Sequence, residues 1–174
     1  MISIKRAAVA DHPAIVSIGT VAVEEAHRGS TTAENLNQYL EKHYNADAIS
    51  KELADPSNIY HIIDYNGKPA GFSKINLNAA EPAFDAANVT KLDRIYLLKE
   101  FYGMKLGREL LNFNIEVAKE NDQSGMWLYT WTGNQRAIDF YLKTGFTIAG
   151  SHKFYVTETH YNQNHLMFLD LVTG

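Results

Sequence analysis

An Asn-Gly dipeptide at positions 66 and 67 constrains the fold of this chain more than any other feature of its sequence. It separates two runs rich in β-branched and aromatic residues, Ile59–Tyr65 and 68–78. Asn and Gly readily adopt the positive φ angles that a two-residue hairpin turn requires. The pattern therefore predicts two antiparallel strands joined by a tight turn.

Alternating or continuously apolar runs predict further strands along the chain. We expect them at 2–6, 91–98, 126–132, 146–150, 153–157 and 166–171. The stretch 79–90 is rich in Ala and acidic residues and contains a proline, so it is expected to be a surface loop.

Capping residues and apolar periodicity predict five helices. They are expected at 11–25, 31–44, 47–53, 106–121 and 134–143, with Asp11, Thr31 or Thr32, and Asp47 starting the first three and Gly145 ending the last. Helices come first, and the later strands are joined partly by hairpins and partly by crossovers. The fold class predicted is mixed α/β (α+β), with a central twisted, mostly antiparallel sheet of about six to seven strands flanked by helices.

The length and composition indicate a globular protein of one domain, residues 1–174. The absence of cysteine excludes disulfides, thiolate metal ligands and a cysteine nucleophile. No apolar run approaches the roughly 20 residues that a membrane span requires, and the first residues do not look like a signal peptide. We therefore expect a cytoplasmic protein without a membrane partner.

The charge balance points to small molecules as partners. A net charge of −4 disfavours nucleic acid and suits a cationic substrate. The seven histidines show no ligand-pair spacing with supporting carboxylates, so no metal is expected.

Residues 92–107 combine a strand, a loop with two glycines and the start of a helix. The first N–H groups of a helix lack intrahelical acceptors, and together with the helix dipole they favour an anion. Lys105 and Arg108 add positive charge. This arrangement predicts a site for a pyrophosphate, although a plain strand-to-helix connection with solvated charges fits the same residues.

The segment 127–146, WLYTWTGNQRAIDFYLKTGF, carries a more specific pattern. Asn134 and Tyr141 are two helical turns apart, so they project from nearly one face. The small Ala137 on that face leaves room for a ligand. The alternative is that Phe140 and Tyr141 are simply aromatic residues packed in the core.

Both segments resemble motifs of the GNAT N-acetyltransferases. Residues 92–111, LDRIYLLKEFYGMKLGRELL, look like motif A, a strand followed by a Gln/Arg-x-x-Gly-x-Gly/Ala loop and a helix. Residues 134–146 match every position of the motif B pattern Asn-x-x-Ala-x-x-Phe-Tyr-x-x-x-Gly-Phe. The resemblance implies the GNAT acyl-CoA N-acyltransferase fold and an enzyme that transfers the acetyl group of acetyl-CoA, its cosubstrate, directly to a primary amine.

The resemblance also implies roles for individual residues. Tyr141 would protonate the leaving thiolate as general acid, and the backbone N–H of Leu97 would stabilise the oxyanion. Asn134 would hydrogen-bond the pantetheine arm or the surroundings of the tyrosine. The implied cofactor-binding residues are Tyr96, Leu97, Leu98, Tyr102, Gly103, Met104, Lys105, Leu106, Gly107, Arg108, Asn134 and Tyr141.

Motif A departs from the family at two of its three signature positions. Tyr102 stands where Gln or Arg is usual and Lys105 where the first Gly is usual, while Gly107 matches. If position 105 requires a positive φ, a residue other than Gly costs on the order of 1 kcal/mol there. An ammonium group facing a phosphate would offset that cost. The departures also support a second function, a catalytically silent coenzyme A-binding regulatory protein.

No motif fixes the general base that deprotonates the amine. Asp93 on the motif A strand is one candidate, because an acidic residue on that strand serves as base in part of the family. Candidates for binding the acceptor near the end of the first helix, where the family usually builds that site, are Glu24, Glu25 and His27. His152 and His160 are further candidates, since histidine titrates near neutrality. Each of these is also readable as an ordinary surface residue.

Three more segments look like the PaiA-like spermine/spermidine N-acetyltransferases. They are residues 30–53, 61–78 and 150–156. The likeness implies a polyamine acceptor such as spermidine or spermine, with an amino acid, a peptide N-terminus or another small amine as the alternatives. A homodimer is expected by family analogy only.

Overall fold

The computed structural model describes residues 1–172, so residues 173 and 174 of the predicted domain lie outside the described part. The α-helices are α1 (His12–His27), α2 (Ala33–His43), α3 (Ala46–Ala54), α4 (Leu106–Glu120) and α5 (Gln135–Lys143). The strands are β1 (Ile2–Arg6), β2 (Ile59–Tyr65), β3 (Lys68–Asn76), β4 (Val89–Leu97), β5 (Gly125–Trp131), β6 (Thr147–Tyr155) and β7 (Tyr161–Asp170).

The strands form one sheet in the order β1-β2-β3-β4-β5-β7-β6. Neighbouring strands are antiparallel except β4 and β5, which are parallel. A parallel pair needs a crossover connection, and α4 supplies it between these two strands. The predicted mixed, mostly antiparallel sheet flanked by helices is confirmed.

The sheet is covered on both faces, as the alternation along β2 shows. Ile62 packs with Ile18 of α1 and Leu40 of α2, whereas its neighbour Ile63 packs with Leu110 of α4. Successive strand residues point to opposite faces. The first two helices therefore lie on one face and α4 on the other.

The predicted hairpin between β2 and β3 is present. Asn66 and Gly67 have φ angles of 50° and 81°, which places both turn residues in the left-handed region. The predicted start of α2 is also confirmed, because the hydroxyl oxygen of Thr32 accepts a hydrogen bond of 3.1 Å from the Asn35 amide.

Two predicted helix caps were wrong in detail. The side chain of Asn45, not Asp47, caps α3, accepting from the Ala48 amide at 2.8 Å. Asp11 does precede α1, but its carboxylate accepts from the Ala8 amide at 2.8 Å and not from the helix.

The strands predicted separately at 146–150 and 153–157 are one strand, β6. It pairs with β7 from Thr147 to Tyr155, and a register irregularity between Ile148 and Gly150 interrupts its alternation. Pairing with a neighbour overrides the local break that the sequence suggested.

Candidate active site

The parallel strands β4 and β5 diverge, and this opens the site. They pair only at 89–91 with 125–127, although β4 continues to Leu97 and β5 to Trp131. A cavity of about 1040 Å³ lies along the unpaired part of the two strands. Its volume is at the upper end of the usual range for small-molecule sites, about 300–1000 Å³.

The Leu97 amide points into the gap between these strands. Directly after β4, the next amide, that of Leu98, donates to the Ala70 carbonyl on β3 at 2.9 Å. Consecutive amides of an antiparallel strand point to opposite sides, so the Leu97 amide is directed away from β3. Since β5 has already diverged, no β5 residue pairs with Leu97. An amide in this position is able to stabilise a developing oxyanion.

The N-terminus of α4 forms one end of the cavity. Lys105 precedes the helix with a left-handed backbone, φ 63° and ψ 14°, and no side chain caps the first turn. The first amides of the helix are therefore free to bind an anion. A β-carbon on Gly107 would come within 3.3 Å of the Leu97 side chain, so a glycine lets the helix start close to β4.

Basic side chains surround this helix end. Lys105 and Arg108 line the cavity, as does Arg136 from the first turn of α5. The guanidinium of Arg136 lies 3.4 Å from the centroid of the Tyr102 ring. Sequence reasoning missed Arg136, although a basic residue within motif B was the available signal. The free amides and these charges fit the phosphates of coenzyme A.

Tyr141 lines the cavity from α5. Its ring is 8% exposed and packs edge-on against Phe146, with the centroids 5.5 Å apart. Burial raises the pKa of the Tyr141 hydroxyl above its ordinary value, so the group stays protonated at neutral pH. A protonated phenol beside the gap is able to donate a proton.

Asn134 caps α5, a role that was not predicted from the sequence. Its side-chain oxygen accepts from the Ala137 amide at 3.2 Å and caps α5. This bond sets the start of the helix that carries Tyr141, while the amide nitrogen of the side chain remains available as a donor.

The predicted cofactor-binding residues gather around one cavity. All of them line it except Leu98 and Met104. Leu98 directs its amide to β3, and the Met104 side chain is 37% exposed.

Asp93 also lines the cavity but is enclosed by cations. Its carboxylate lies 3.1 Å from the ammonium of Lys74, 3.0 Å from that of Lys91 and 3.6 Å from Nε of Arg94. Burial alone would raise the pKa of Asp93, but the three positive charges outweigh it and hold the pKa below its ordinary value. A carboxylate stabilised in this way is a weak base.

The candidates at the end of α1 separate into two groups. Glu24 forms an ion pair with Arg28 at 2.6 Å and lies outside the cavity lining, whereas Glu25 and His27 line the cavity. The ring of His27 lies 6.4 Å from that of Trp131, and burial lowers the pKa of the imidazole.

His152 and His160 both contact neighbouring residues. His152 lines the cavity and stacks on Tyr129 with a centroid distance of 3.9 Å. Nε2 of His160 lies 3.2 Å from the Ser30 carbonyl oxygen, which ties the start of β7 to the loop after α1.

Sequence reasoning missed two further residues, one beside the site and one in its wall. A β-carbon on Gly71 would overlap the Tyr96 carbonyl oxygen, so only glycine allows β3 to approach β4 there. Asn164 on β7 lines the cavity and is 7% exposed. Neither had a local sequence signal, because both depend on contacts distant in the chain.

Comparison with known proteins agrees with this geometry. The sequence model of the Acetyltransferase (GNAT) family matches residues 37–146. The chain belongs to the GNAT acetyltransferase family.

Relatives cover most of the chain. An uncharacterized N-acetyltransferase of Lactobacillus delbrueckii subsp. lactis is 29% identical over 144 residues, which are 83% of each protein. The PaiA N-acetyltransferase of Thermoplasma acidophilum, solved in complex with coenzyme A, superimposes with a TM-score of 0.80 at 18% identity, over 98% of this chain and 99% of its own. The ribosomal-protein-S18-alanine N-acetyltransferase of Escherichia coli gives a TM-score of 0.72 at 19% identity, over 100% and 96%.

These findings confirm the predicted family, fold and enzyme class. The chain is an acetyl-CoA-dependent N-acetyltransferase of the GNAT family. Among residues 1–172, no cluster of three or more potential ligand side chains could hold a metal ion. Within the same residues, no helix combines the length and apolarity needed to cross a membrane.

Proposed function

We propose that this enzyme acetylates a primary amine of a polyamine, such as spermidine or spermine, by direct attack on acetyl-CoA. The observation that carries the proposal is the gap between β4 and β5, with the Leu97 amide on one wall and the protonated Tyr141 hydroxyl in the same cavity.

The two groups serve successive needs of the reaction. As the amine nitrogen attacks the thioester carbonyl, negative charge develops on the carbonyl oxygen, and the Leu97 amide stabilises it. When the carbon–sulfur bond breaks, the sulfur takes the proton of the Tyr141 hydroxyl. The raised pKa of Tyr141 means that the hydroxyl still carries its proton when the thiolate forms.

The remaining predicted residues bind the cosubstrate. The amides at the start of α4, with Lys105 and Arg108, are suited to the pyrophosphate. The free edge of β4 at Tyr96 and Leu97 is suited to the amides of the pantetheine arm. Asp93 is kept among the candidates for the base, but the cations around it favour an electrostatic role.

A polyamine acceptor is supported by charge and by likeness. The chain has a net charge of −4, and the Thermoplasma neighbour is a PaiA enzyme. The rings of Tyr39, Trp131 and Phe154 line the same cavity, and ring faces are able to hold ammonium groups. We propose a cytoplasmic location, because a chain without cysteine suits a reducing compartment.

Steady-state release of coenzyme A thiol tests the proposal. Spermidine, spermine, a simple alkylamine, free amino acids and a peptide with an N-terminal alanine are compared as acceptors. The proposal predicts the largest kcat/KM for a polyamine. A preference for the peptide would instead indicate an enzyme that acetylates protein N-termini. Coenzyme A binding without turnover of any amine would favour the silent regulatory protein.

A further inference from the structure

Two buried hydrogen-bond acceptors on the cavity wall have no donor within the described residues. They are Oε2 of Glu25 and Oδ1 of Asn164. Leaving a buried polar atom unpaired costs about 1–3 kcal/mol, so nearly all such atoms in proteins have partners. Two exceptions on one cavity wall point to a ligand rich in donors.

The elements that carry these two atoms are linked beside the cavity. Asn164 is the register partner of Trp131 on β5, and the Trp131 ring contacts His27, the last residue of α1. The bond between His160 and the Ser30 carbonyl holds the start of β7 against the loop that follows α1. The end of α1 that carries Glu25 and the β7 segment that carries Asn164 are thus joined.

The face of α1 that lines the cavity leaves space beside Glu25. The other α1 residues that line the cavity are Ala22, Ala26 and His27, and Arg28 follows them. Residues three and four apart share a helix face, so the short side chain of Ala22, one turn before Glu25, leaves space on that side of the carboxylate.

Glu25 differs from the other acidic groups nearby in having no direct ion pair among the described residues, since Arg28 acts on it only from a longer distance. The two carboxylates that line the cavity within residues 1–172 are Glu25 and Asp93. Asp93 is bound by Lys74, Lys91 and Arg94, and Glu24, next to Glu25 in the chain, is bound by Arg28. Glu25 has no ion-pair partner within 4.0 Å among the described residues.

We infer that Glu25 and Asn164 bind an ammonium group of the acceptor, the two side-chain oxygens accepting its N–H donors. This inference rests on the proposed function and deepens it, because it assigns the acceptor's cationic group to two residues. An ammonium offers several donors and a full positive charge, which complements one carboxylate and one amide oxygen. The site selects alkylammonium acceptors against neutral or anionic compounds of similar size.

Glu25→Gln tests the inference, because it removes the charge and keeps the shape. With the best amine of the acceptor panel, we expect KM to rise at least tenfold, kcat to stay within threefold and coenzyme A affinity to be unchanged. Asn164→Ser should raise KM in the same direction by a smaller factor. The matched control is Glu41→Gln, which removes one negative charge from the exposed surface of α2 and should leave KM within twofold.

Two outcomes overturn the inference while the proposed function stands. One is an unchanged KM in Glu25→Gln, and the other is a loss of kcat with KM unchanged, which would make Glu25 a group acting on the reaction itself. Glu25→Gln removes a charge that has a buried oxygen, so it should not destabilise the fold. A melting temperature equal to or above that of the wild type therefore shows that the variant is folded.

Failure of the proposed function gives a different result. In that case the wild type binds coenzyme A but turns over no amine. Calorimetric titration of spermidine into the coenzyme A complex then decides the inference. Binding to the wild type that weakens at least tenfold in Glu25→Gln supports it, whereas equal affinity, or no binding to either protein, overturns it.

Discussion

The guanidinium of Arg136 stacks on the ring of Tyr102 at 3.4 Å from its centroid. Arg136 belongs to the first turn of α5, and Tyr102 to the loop before α4. The contact therefore joins the two segments that carry the family motifs, and both residues line the same cavity. Tyr102 departs from the usual Gln or Arg of the motif, and it provides an aromatic ring face on which the guanidinium stacks.

Breaking this pair should weaken coenzyme A binding without slowing the reaction. A cation–π contact at a partly exposed site contributes about 0.5–1 kcal/mol, which is roughly a two- to fivefold change in affinity. We expect Arg136→Ala and Tyr102→Ala each to raise the Kd of coenzyme A by at least that factor, with kcat at saturation unchanged. A double-mutant cycle by calorimetry measures the coupling, and strictly additive effects would show that the two side chains act independently.

Tyr141→Phe should reduce turnover far more than cofactor affinity. The substitution keeps the ring that packs against Phe146 and removes only the hydroxyl. General acid catalysis typically contributes 10²–10⁴-fold, so kcat should fall by about that factor while the Kd of coenzyme A changes less than twofold. Stopped assays of thiol release give kcat, and the melting temperature controls for folding. A loss of less than threefold in kcat would exclude Tyr141 as the acid.

Much of the fold was predictable because its signals are local. The Asn66-Gly67 turn, the Thr32 cap and the apolar period that starts at Leu106 each depend on a few neighbouring residues. Apart from the helix caps at Asp11 and Asp47, the error arose where strand pairing decides the outcome. β6 runs through the irregularity between Ile148 and Gly150 because β7 pairs with it on both sides.

The candidate site was predictable only where a motif describes it. Tyr141, Gly107 and the loop before α4 were found by pattern. The ion pair of Asp93 with Lys74 and the unpaired oxygen of Asn164 were not, because each depends on the neighbours that the folded sheet places around the residue. Ion pairing and burial decide whether an acidic residue acts as a base, binds a ligand or forms a structural ion pair. The residue type alone predicts neither its ion pairing nor its burial.

Lys105 combines backbone strain with a useful charge, and one substitution separates the two. Its φ of 63° lies in the left-handed region, which costs a residue other than Gly about 1 kcal/mol or more. Lys105→Gly should relieve that strain and stabilise the protein by about 0.5–1 kcal/mol, after allowing for the greater chain entropy of Gly when unfolded. The same substitution should weaken coenzyme A binding several-fold, because it removes an ammonium beside the anion site.

Lys105→Asn is the matched control for this experiment. Asn tolerates the left-handed conformation but carries no charge. It should weaken coenzyme A binding as much as Lys105→Gly does, and both losses should shrink at high salt. Calorimetry in low and high salt, with urea unfolding for stability, measures both quantities. Unchanged or tighter binding in either variant would contradict a role for the ammonium in binding phosphate.

Asp93→Asn should affect stability more than the pH dependence of catalysis. Asp93 lies among three cations and its side chain is 22% exposed, so its loss leaves Lys74 and Arg94 with less compensation. We expect a loss of about 1–3 kcal/mol in unfolding free energy, below that for a fully buried pair. The exposed pair of Glu100 with Lys68 is the control, and Glu100→Gln should cost less than about 1 kcal/mol. If Asp93→Asn removes the acidic limb of the kcat/KM profile, Asp93 is the base.

The stability of the fold should decline as the pH falls below about 6.5, the ordinary pKa of histidine. Burial lowers the pKa of His61, although its bond of 3.2 Å to Asn114 acts in the opposite direction. The folded chain therefore takes up a proton at His61 less readily than the unfolded chain, so acidification favours unfolding.

Each such histidine contributes up to about 1.4 kcal/mol per pH unit between its two pKa values, which are those of the folded and the unfolded chain. Urea unfolding of the wild type and of His61→Asn at pH 7.5, 6.5 and 5.5 should show a shallower decline in the variant, in which the Asn side-chain nitrogen takes the place of Nδ1 as the donor to Asn114. Parallel declines in the two proteins would assign the acid sensitivity to other groups, such as His27 and His43, whose pKa values burial also lowers.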